Sequence, residues 1–330
     1  MRALDCIDPG ALPDALLRST EPVLLRGLVA HWPAAQAGRQ GAADAAAYLR
    51  RFWRDATVGV WLGPPDIEGR FFYDEALTGF NFHRETAAFG TVIETLLSHA
   101  PDPRPPAIYV GSTTVDTCLP GFNAENGLGF GRLQPLTSLW VGNRARVAAH
   151  YDLPDNLACV VAGRRRFTLL PPDQVGNLYV GPLDLTPAGQ PISLVDFAQP
   201  DLARFPKFAE AQRHARVAEL GPGDALFIPS MWWHHVEALD AFNVLVNHWW
   251  RDVPPYMDSP QGALLLALLT LRDLPPEQRR AWQGLFDHYV FAADAHTAAH
   301  IPAPARGALA LLDDAGARML RARVQRALNR

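Results

Sequence analysis

The chain has 330 residues, 48% hydrophobic and 19% charged, the balance of an ordinary globular protein with enough apolar mass for a sizeable core. Its formal charge of −4 argues against a nucleic-acid binder, which is usually basic. Three scattered cysteines, Cys6, Cys118 and Cys159, form no CxxC pair and no even framework, so neither a zinc ribbon nor a disulfide scaffold is indicated.

The N-terminal stretch "MRALDCIDPGALPDALL" has acidic residues and prolines where a signal peptide would carry a long apolar core, which predicts a reduced, cytoplasmic setting. "PGALPDALLRS" predicts a helix with Pro9 near its start. "EPVLLRGL" at 21–28 reads as a short buried strand, "AADAAAYLRRFW" at 42–53 as a helix and "TVGVWLG" at 57–63 as a strand. "AFGTVIETLLSHA" at 88–100 predicts another helix, ended by the prolines of "PDPRPP". Residues 1–106 thus form a helix and strand region expected to pack on a barrel flank.

From Ala107 the texture changes. "AIYVGS", "LTSLWVGN", "VAAHYD", "NLACVVAG", "RRFTLLPP", "DALFIPS" and "FNVLVNHWW" are short β-branched or aromatic runs punctuated by Gly, Pro, Asn and Asp. Such a series predicts an all-β barrel or sandwich over 107–253. The insert at about 173–215 reads as a long irregular loop. From Pro254 to the end helical patterns return, with starts marked by Ser259, Pro260 and Pro275–Pro276. The longest apolar run, "GALLLALLTL" at 262–271, is too short to span a bilayer.

Three pieces carry chemistry. In "HYD" at 150–152, residues two apart on a strand share a face, so His150 and Asp152 can reach one point while Tyr151 faces away. In "PGDALFIPSMWWHHVEAL" at 222–239, a tight turn feeds a strand that ends in a His pair. "NVLVNHWW" at 243–250 is a strand ending in polar and aromatic residues. Two His and one carboxylate on facing strands suit a facial-triad iron site with open positions. A single His in an apolar run is more often a hydrogen-bonded core residue than a ligand, but three matching pieces in order shift that balance. His234 and His235 alternate faces, so only one is the ligand, and spacing alone leaves both open.

At these residues the chain resembles the JmjC and cupin-like family of 2-oxoglutarate-dependent oxygenases, in particular the branch containing the asparaginyl hydroxylase that inhibits hypoxia-inducible factor. The likeness runs through "PVLLRGLVAHWPA" at 22–34, "HYDLPDNLACVVAGRRRFTLLPPDQVGNLYVGP" and "GPGDALFIPSMWWHHVEAL". It implies a mainly β fold with flanking helices, built on a double-stranded β-helix (cupin, jelly-roll) core. It implies His150, Asp152 and His234 as Fe(II) ligands, which makes His235 a neighbour. It places Tyr109, Asn156 and Asn247 near the cosubstrate 2-oxoglutarate and Trp249 beside the iron site. Arg165 of "GRRRF" stands where the family often has Lys to grip the distal carboxylate, a task that Arg performs with two parallel hydrogen bonds. Arg164 and Arg166 are competitors for that place. Val147 stands where close relatives carry a Thr that bonds the cosubstrate, and Thr137 or Ser138 are candidates to compensate. Trp232, Trp233, Trp249 and Trp250 are candidate cavity walls, with core packing expected for at least two.

The implied activity is hydroxylation of a C–H bond in a protein, peptide or amino acid, with dioxygen consumed and succinate and CO2 released. Alternatives are an N-methyl demethylase of the same fold, or a cupin-like protein that binds a metal or ligand without turnover. A multi-His cupin would need further histidines, for which His248 is the nearby candidate. Relatives also imply a homodimer through the C-terminal helices. No nucleic-acid or membrane partner is expected.

Overall fold

The computed structural model describes every residue except Cys6 and Arg330, so Cys6 lies outside the described residues. The chain divides into two units, Met1–Arg251 and Asp252–Arg330. The first opens with β1 (Arg2–Leu4), α1 (Asp14–Leu17), β2 (Val23–Leu25), α2 (Pro33–Gln40) and α3 (Ala42–Arg50). Next come β3 (Thr57–Gly63), β4 (Arg70–Phe71), β5 (His83–Ala88), α4 (Phe89–Ser98) and β6 (Ala107–Thr114). Then follow α5 (Val115–Cys118), α6 (Phe122–Glu125), β7 (Leu136–Gly142), β8 (Arg146–His150), β9 (Asp155–Ala162) and β10 (Arg165–Leu170). The unit closes with α7 (Phe208–His214), β11 (Arg216–Leu220), β12 (Ala225–Ile228), β13 (Trp233–Ala238) and β14 (Asn243–Trp250).

Two sheets face each other. One has nine strands in the order β1-β2-β12-β9-β14-β7-β6-β3-β5, the other five in the order β11-β10-β13-β8-β4. From β8 to β14 the chain crosses between the sheets at nearly every turn, which is the jelly-roll core expected from the strand-rich middle. The near-continuous apolar run of β9 follows from burial on both faces. Leu157, Cys159 and Val161 belong to the core that includes Trp32, Ala34 and Leu49 of the helical layer. Ala158 and Val160 point the other way, into the core shared with Phe167, Leu169 and Leu226 between the sheets.

Two glycines permit this packing. A Cβ at Gly38 of α2 would lie 1.8 Å from the Val161 carbonyl oxygen, so only Gly lets the helix lie so close to β9. Gly163, at φ +70°, turns β9 into β10 in a space where a Cβ would meet Asn243 Oδ1 at 2.3 Å.

Several elements depart from the sequence expectations. α1 starts at Asp14, directly after Pro13, rather than near Pro9. α2 within "WPAAQAGRQ" and the edge strands β5 and β11 have no counterpart among the elements read from the sequence: each is short and poor in large apolar residues. The insert at 173–215 is an irregular loop over 178–207, as expected, but its two ends are regular and it packs a core of its own. It holds a short 3-10 turn and α7, and Leu178, Val195, Phe205, Phe208 and Ala211 form its own core with Trp233. The His pair does not end a strand either. β12 stops at Ile228, the chain turns through Met231 at φ +68°, and His234 and His235 lie in β13.

The second unit holds α8 (Pro260–Thr270), α9 (Pro276–Phe286) and α10 (Asp314–Leu328). Ser259 Oγ accepts from Gln261 N at 3.2 Å and caps α8. Asp313 Oδ1 accepts from Gly316 N at 2.7 Å and caps α10. Among the described residues no helix is long and apolar enough to cross a membrane.

Candidate metal centre

His150 is the last residue of β8, and Asp152 lies two residues beyond it. Across the ladder His150 pairs directly with His234 of β13. Their rings are 4.3 Å apart, centroid to centroid. One ligand atom from each of His150, Asp152 and His234 can be chosen so that all lie within 4.8 Å of one another. The register shifts between His234 and Val236, leaving an extra residue in β8 opposite His235. This bulge, a common device beside active sites, puts both Val147 and Ala148 in the wall of the same cavity.

Hydrogen bonds aim the three side chains. Nδ1 of His150 lies 2.9 Å from the Ala148 carbonyl, and Nδ1 of His234 lies 3.0 Å from the Trp232 carbonyl. A carbonyl only accepts, so each Nδ1 carries the proton and each Nε2 keeps its lone pair. That is the arrangement of a metal-ligating imidazole oriented by its outer partner. Burial, reinforced by His150 and opposed by Asp152, pushes His234 down to about 4 and keeps it neutral. Asp152 is anchored by its own backbone, whose carbonyl accepts from Met231 N at 2.9 Å. Ser230 reinforces this turn, its Oγ donating to Leu153 O at 2.7 Å.

A polar chain holds the carboxylate. Trp249 Nε1 donates to Asp152 Oδ2 at 3.2 Å, and Asn156 Nδ2 to the same oxygen at 3.3 Å. Asn247 Nδ2 donates to Asn156 Oδ1 at 3.3 Å, and Trp140 Nε1 to Asn247 Oδ1 at 2.7 Å. Neither donor to Asp152 touches Oδ1. Asn156, Asn247 and Trp249 therefore line the cavity while fixing the anion, and Trp140 is a member of this network that the sequence reading missed.

The cavity encloses about 440 Å³, within the usual range for a small-molecule site. Tyr109 and Arg165 also line it. Arg165 is only 2% exposed, and its Nε and Nη2 have no hydrogen-bond partner among the described residues. Burial lowers its pKa, opposed by the facing Tyr109, and burial raises the Tyr109 phenol to about 12, opposed by Arg165. Its chain neighbours point away, Arg164 pairing with Asp240 and Arg166 with Glu219. β10 thus runs without a bulge between its neighbours.

The structure corrects other expectations. Thr137 and Ser138 are outside the cavity lining. Thr137 Oγ1 instead meets His248 Nδ1 at 3.1 Å. His248 packs against Trp32 and Phe130, away from the triad. Of the four tryptophans considered as walls, only Trp249 lines the cavity. Trp232 donates to Thr20 O, Trp233 packs on Tyr151, and Trp250 packs on Phe130 and Phe227. Trp61, Phe71 and Arg84, unmarked by any sequence motif, also line the cavity, together with Pro187, Ala188, Gln190 and Ile192 of the 173–215 insert.

A jelly-roll with an inward His-x-Asp and His set and a buried arginine with two unpartnered nitrogens in one cavity defines a cupin-type barrel with a candidate metal centre. Residues 9–256 match the cupin-like domain family. The chain belongs to this family, JmjC-like oxygenases for which Fe(II) and 2-oxoglutarate are the typical cofactors. It is similar to the Homo sapiens HSPB1-associated protein 1, with 35% identity over 49% of this chain and 32% of that protein. It is also similar to the Danio rerio tRNA wybutosine-synthesizing protein 5, with 35% identity over 39% of this chain and 41% of that protein. The Arabidopsis thaliana lysine-specific demethylase JMJ31 is 34% identical over 37% of this chain and 23% of its own length. The matched region thus spans less than half the length of each of these relatives.

Proposed function

We propose that the protein is an Fe(II)- and 2-oxoglutarate-dependent oxygenase that hydroxylates a C–H bond of a protein, peptide or amino acid. The observation that carries this reading is an acceptor set and a donor set facing one cavity. Two outward-tethered imidazoles and a carboxylate present lone pairs to one point. A buried guanidinium with two unpartnered N–H-bearing nitrogens faces the same space. The first set fits a divalent ion, and the second fits a carboxylate.

His150, Asp152 and His234 would hold the iron. Arg165 and the neutral Tyr109 hydroxyl would bind the distal carboxylate of 2-oxoglutarate. Bound together, Fe(II) and 2-oxoglutarate supply the oxygen-activating chemistry that yields succinate, CO2 and a hydroxylated product. The chain's own work is orientation and exclusion. Asn156 and Trp249 fix the Asp152 rotamer, and the apolar walls Phe71, Phe167 and Leu245 keep water from the reacting centre.

The same chemistry on an N-methyl group gives demethylation, the activity in the name of the Arabidopsis relative. The cavity disfavours it here, because two arginines and one carboxylate, Asp152, line the space, a poor match for a cationic methylated lysine. The exposed apolar side chains of the C-terminal unit, among them Leu264, Leu265 and Leu269 of α8, favour burial against a second copy as a homodimer.

Anaerobically purified protein given Fe(II), 2-oxoglutarate, ascorbate and air should form succinate, and Asp152→Ala should abolish it. Failure of the metal-loaded protein to bind 2-oxoglutarate in calorimetry would favour a non-catalytic binding module instead.

A further inference from the structure

We propose that Arg84 is the specificity-determining anchor of this cavity and that the substrate it selects carries a carboxylate close to the oxidised carbon; this rests on the oxygenase reading above. Arg84 sits on β5, the edge of the nine-stranded sheet. It is exposed, yet it lines the same cavity as the triad and Arg165, which places it at the rim. In the ladder it pairs with Trp61, which pairs in turn with Tyr109. One row of side chains therefore runs from the rim inward.

Arg84 is held in place without being neutralised. Its guanidinium lies 5.1 Å from the Trp61 ring centroid, 5.4 Å from Phe80 and 5.7 Å from Phe82. Those rings are themselves stacked, Trp61 on Phe82 at 4.8 Å and Phe80 on Phe82 at 5.1 Å. Nη2 donates to the carbonyl of Pro187, a residue that also lines the cavity. Among the described residues no carboxylate pairs with Arg84. Arg26, Arg70, Arg146, Arg164 and Arg166, by contrast, each face an Asp or Glu. A preorganised aromatic platform that leaves Nε, Nη1 and the second N–H of Nη2 without a partner among the described residues keeps one guanidinium edge open, a suitable mount for bidentate recognition of a carboxylate.

The charges of the loaded site lead to the same place. A divalent ion, Asp152, Arg165 and doubly negative 2-oxoglutarate together come to neutrality, so the positive charge of Arg84 remains for the substrate. The wall beside it carries a second sign of function. β6 bulges between Val110 and Thr113, and cavity-lining Ser112 is held there at φ +32°, a conformation costly for a side-chain-bearing residue.

The test uses the full chain loaded with redox-inert Zn(II) and 2-oxoglutarate, read by saturation-transfer NMR. Two matched pairs separate the sources of the carboxylate. L-Asparagine against its C-terminal amide tests a free amino acid, and N-acetylated, C-amidated Gly-Asp-Gly against Gly-Asn-Gly tests an acidic side chain in a peptide. We expect the carboxylate member of at least one pair to bind at least tenfold more tightly. Arg84→Gln should erase that preference and Arg84→Lys partly restore it, with calorimetric 2-oxoglutarate affinity unchanged in both. The inference is overturned if neither pair shows a preference, or if the preference survives Arg84→Gln. Wild-type protein that binds no 2-oxoglutarate would instead overturn the oxygenase reading beneath it.

Discussion

Replacing Arg165 by Met should weaken 2-oxoglutarate binding while leaving the ligand-free protein as stable as before, or more so. The opposite signs follow from burial. In the free protein the guanidinium is 2% exposed with Nε and Nη2 unpaired. An unsatisfied buried polar group costs about 1–3 kcal/mol, and even a buried ion pair exchanged for well-packed apolar side chains is often neutral or stabilising by about 1–4 kcal/mol. Met has nearly the reach of Arg and fits beside Phe167 and Tyr109, which line the same cavity. With ligand bound, the variant forfeits charge-assisted hydrogen bonds worth about 1.5–3 kcal/mol each. Tyr109 remains, so a net loss of about 2–4 kcal/mol is expected, or roughly 30- to 1,000-fold in affinity. Calorimetric titration of the Zn(II)-loaded protein measures the affinity, and thermal melts without ligand measure the stability. An affinity within threefold of wild type, or a ligand-free protein that melts several degrees lower, would refute the assignment of Arg165 as a carboxylate grip.

Val147→Thr places a hydroxyl in the cavity wall at nearly constant volume. It should tighten 2-oxoglutarate binding by about 0.5–1.5 kcal/mol, or about two- to tenfold, and unchanged affinity in the same titration would show that the position does not face the cosubstrate. His248 gives a pH signature of stability. Burial lowers it from its ordinary 6.5 to about 3, so the unfolded chain protonates first as the pH falls. Its contribution is full above pH 6.5 and is lost as the pH drops towards about 3, by up to about 1.4 kcal/mol per pH unit. His248→Gln should flatten the denaturant-measured stability curve over that window, and an identical slope would show that the ring is not held neutral. Leu269→Asp, on a side chain 76% exposed, should turn the proposed dimer into a monomer in analytical ultracentrifugation, whereas an unchanged sedimentation profile would place the interface elsewhere.

How much the sequence revealed depends on how local each cause is. Alternation along a continuous strand is local, so the inward parity of Arg165, between Arg164 and Arg166, was readable once β10 proved free of a bulge. The same rule applied to β8 misses the shift opposite His235 that turns Val147 into the cavity. Apolar run length identified β9 and β14 because burial on both faces leaves no polar phase to misread. β5 and β11 escaped because edge strands show solvent-facing residues: His83–Thr86 of β5 are all exposed, and in β11 only Ala218 and Leu220 are buried. Trp249 and Trp250 look alike in sequence, yet only Trp249 lines the cavity, because neighbours on a strand face opposite sides. Arg84 had no local signal at all. Its place at the rim depends on the pairing of β5 with β3 and of β3 with β6, contacts that no motif spacing encodes.

Metal stoichiometry tests the central claim most directly. Protein reconstituted anaerobically with Fe(II), desalted and measured by mass spectrometry of its metal content should retain a single equivalent per chain. Asp152→Ala should retain less than about a tenth of that while its circular dichroism matches wild type, since the residue lies beyond the end of β8 and outside every helix and strand. Equal metal in the two proteins, or none in the wild type, would contradict the assignment of His150, Asp152 and His234 as the iron ligands.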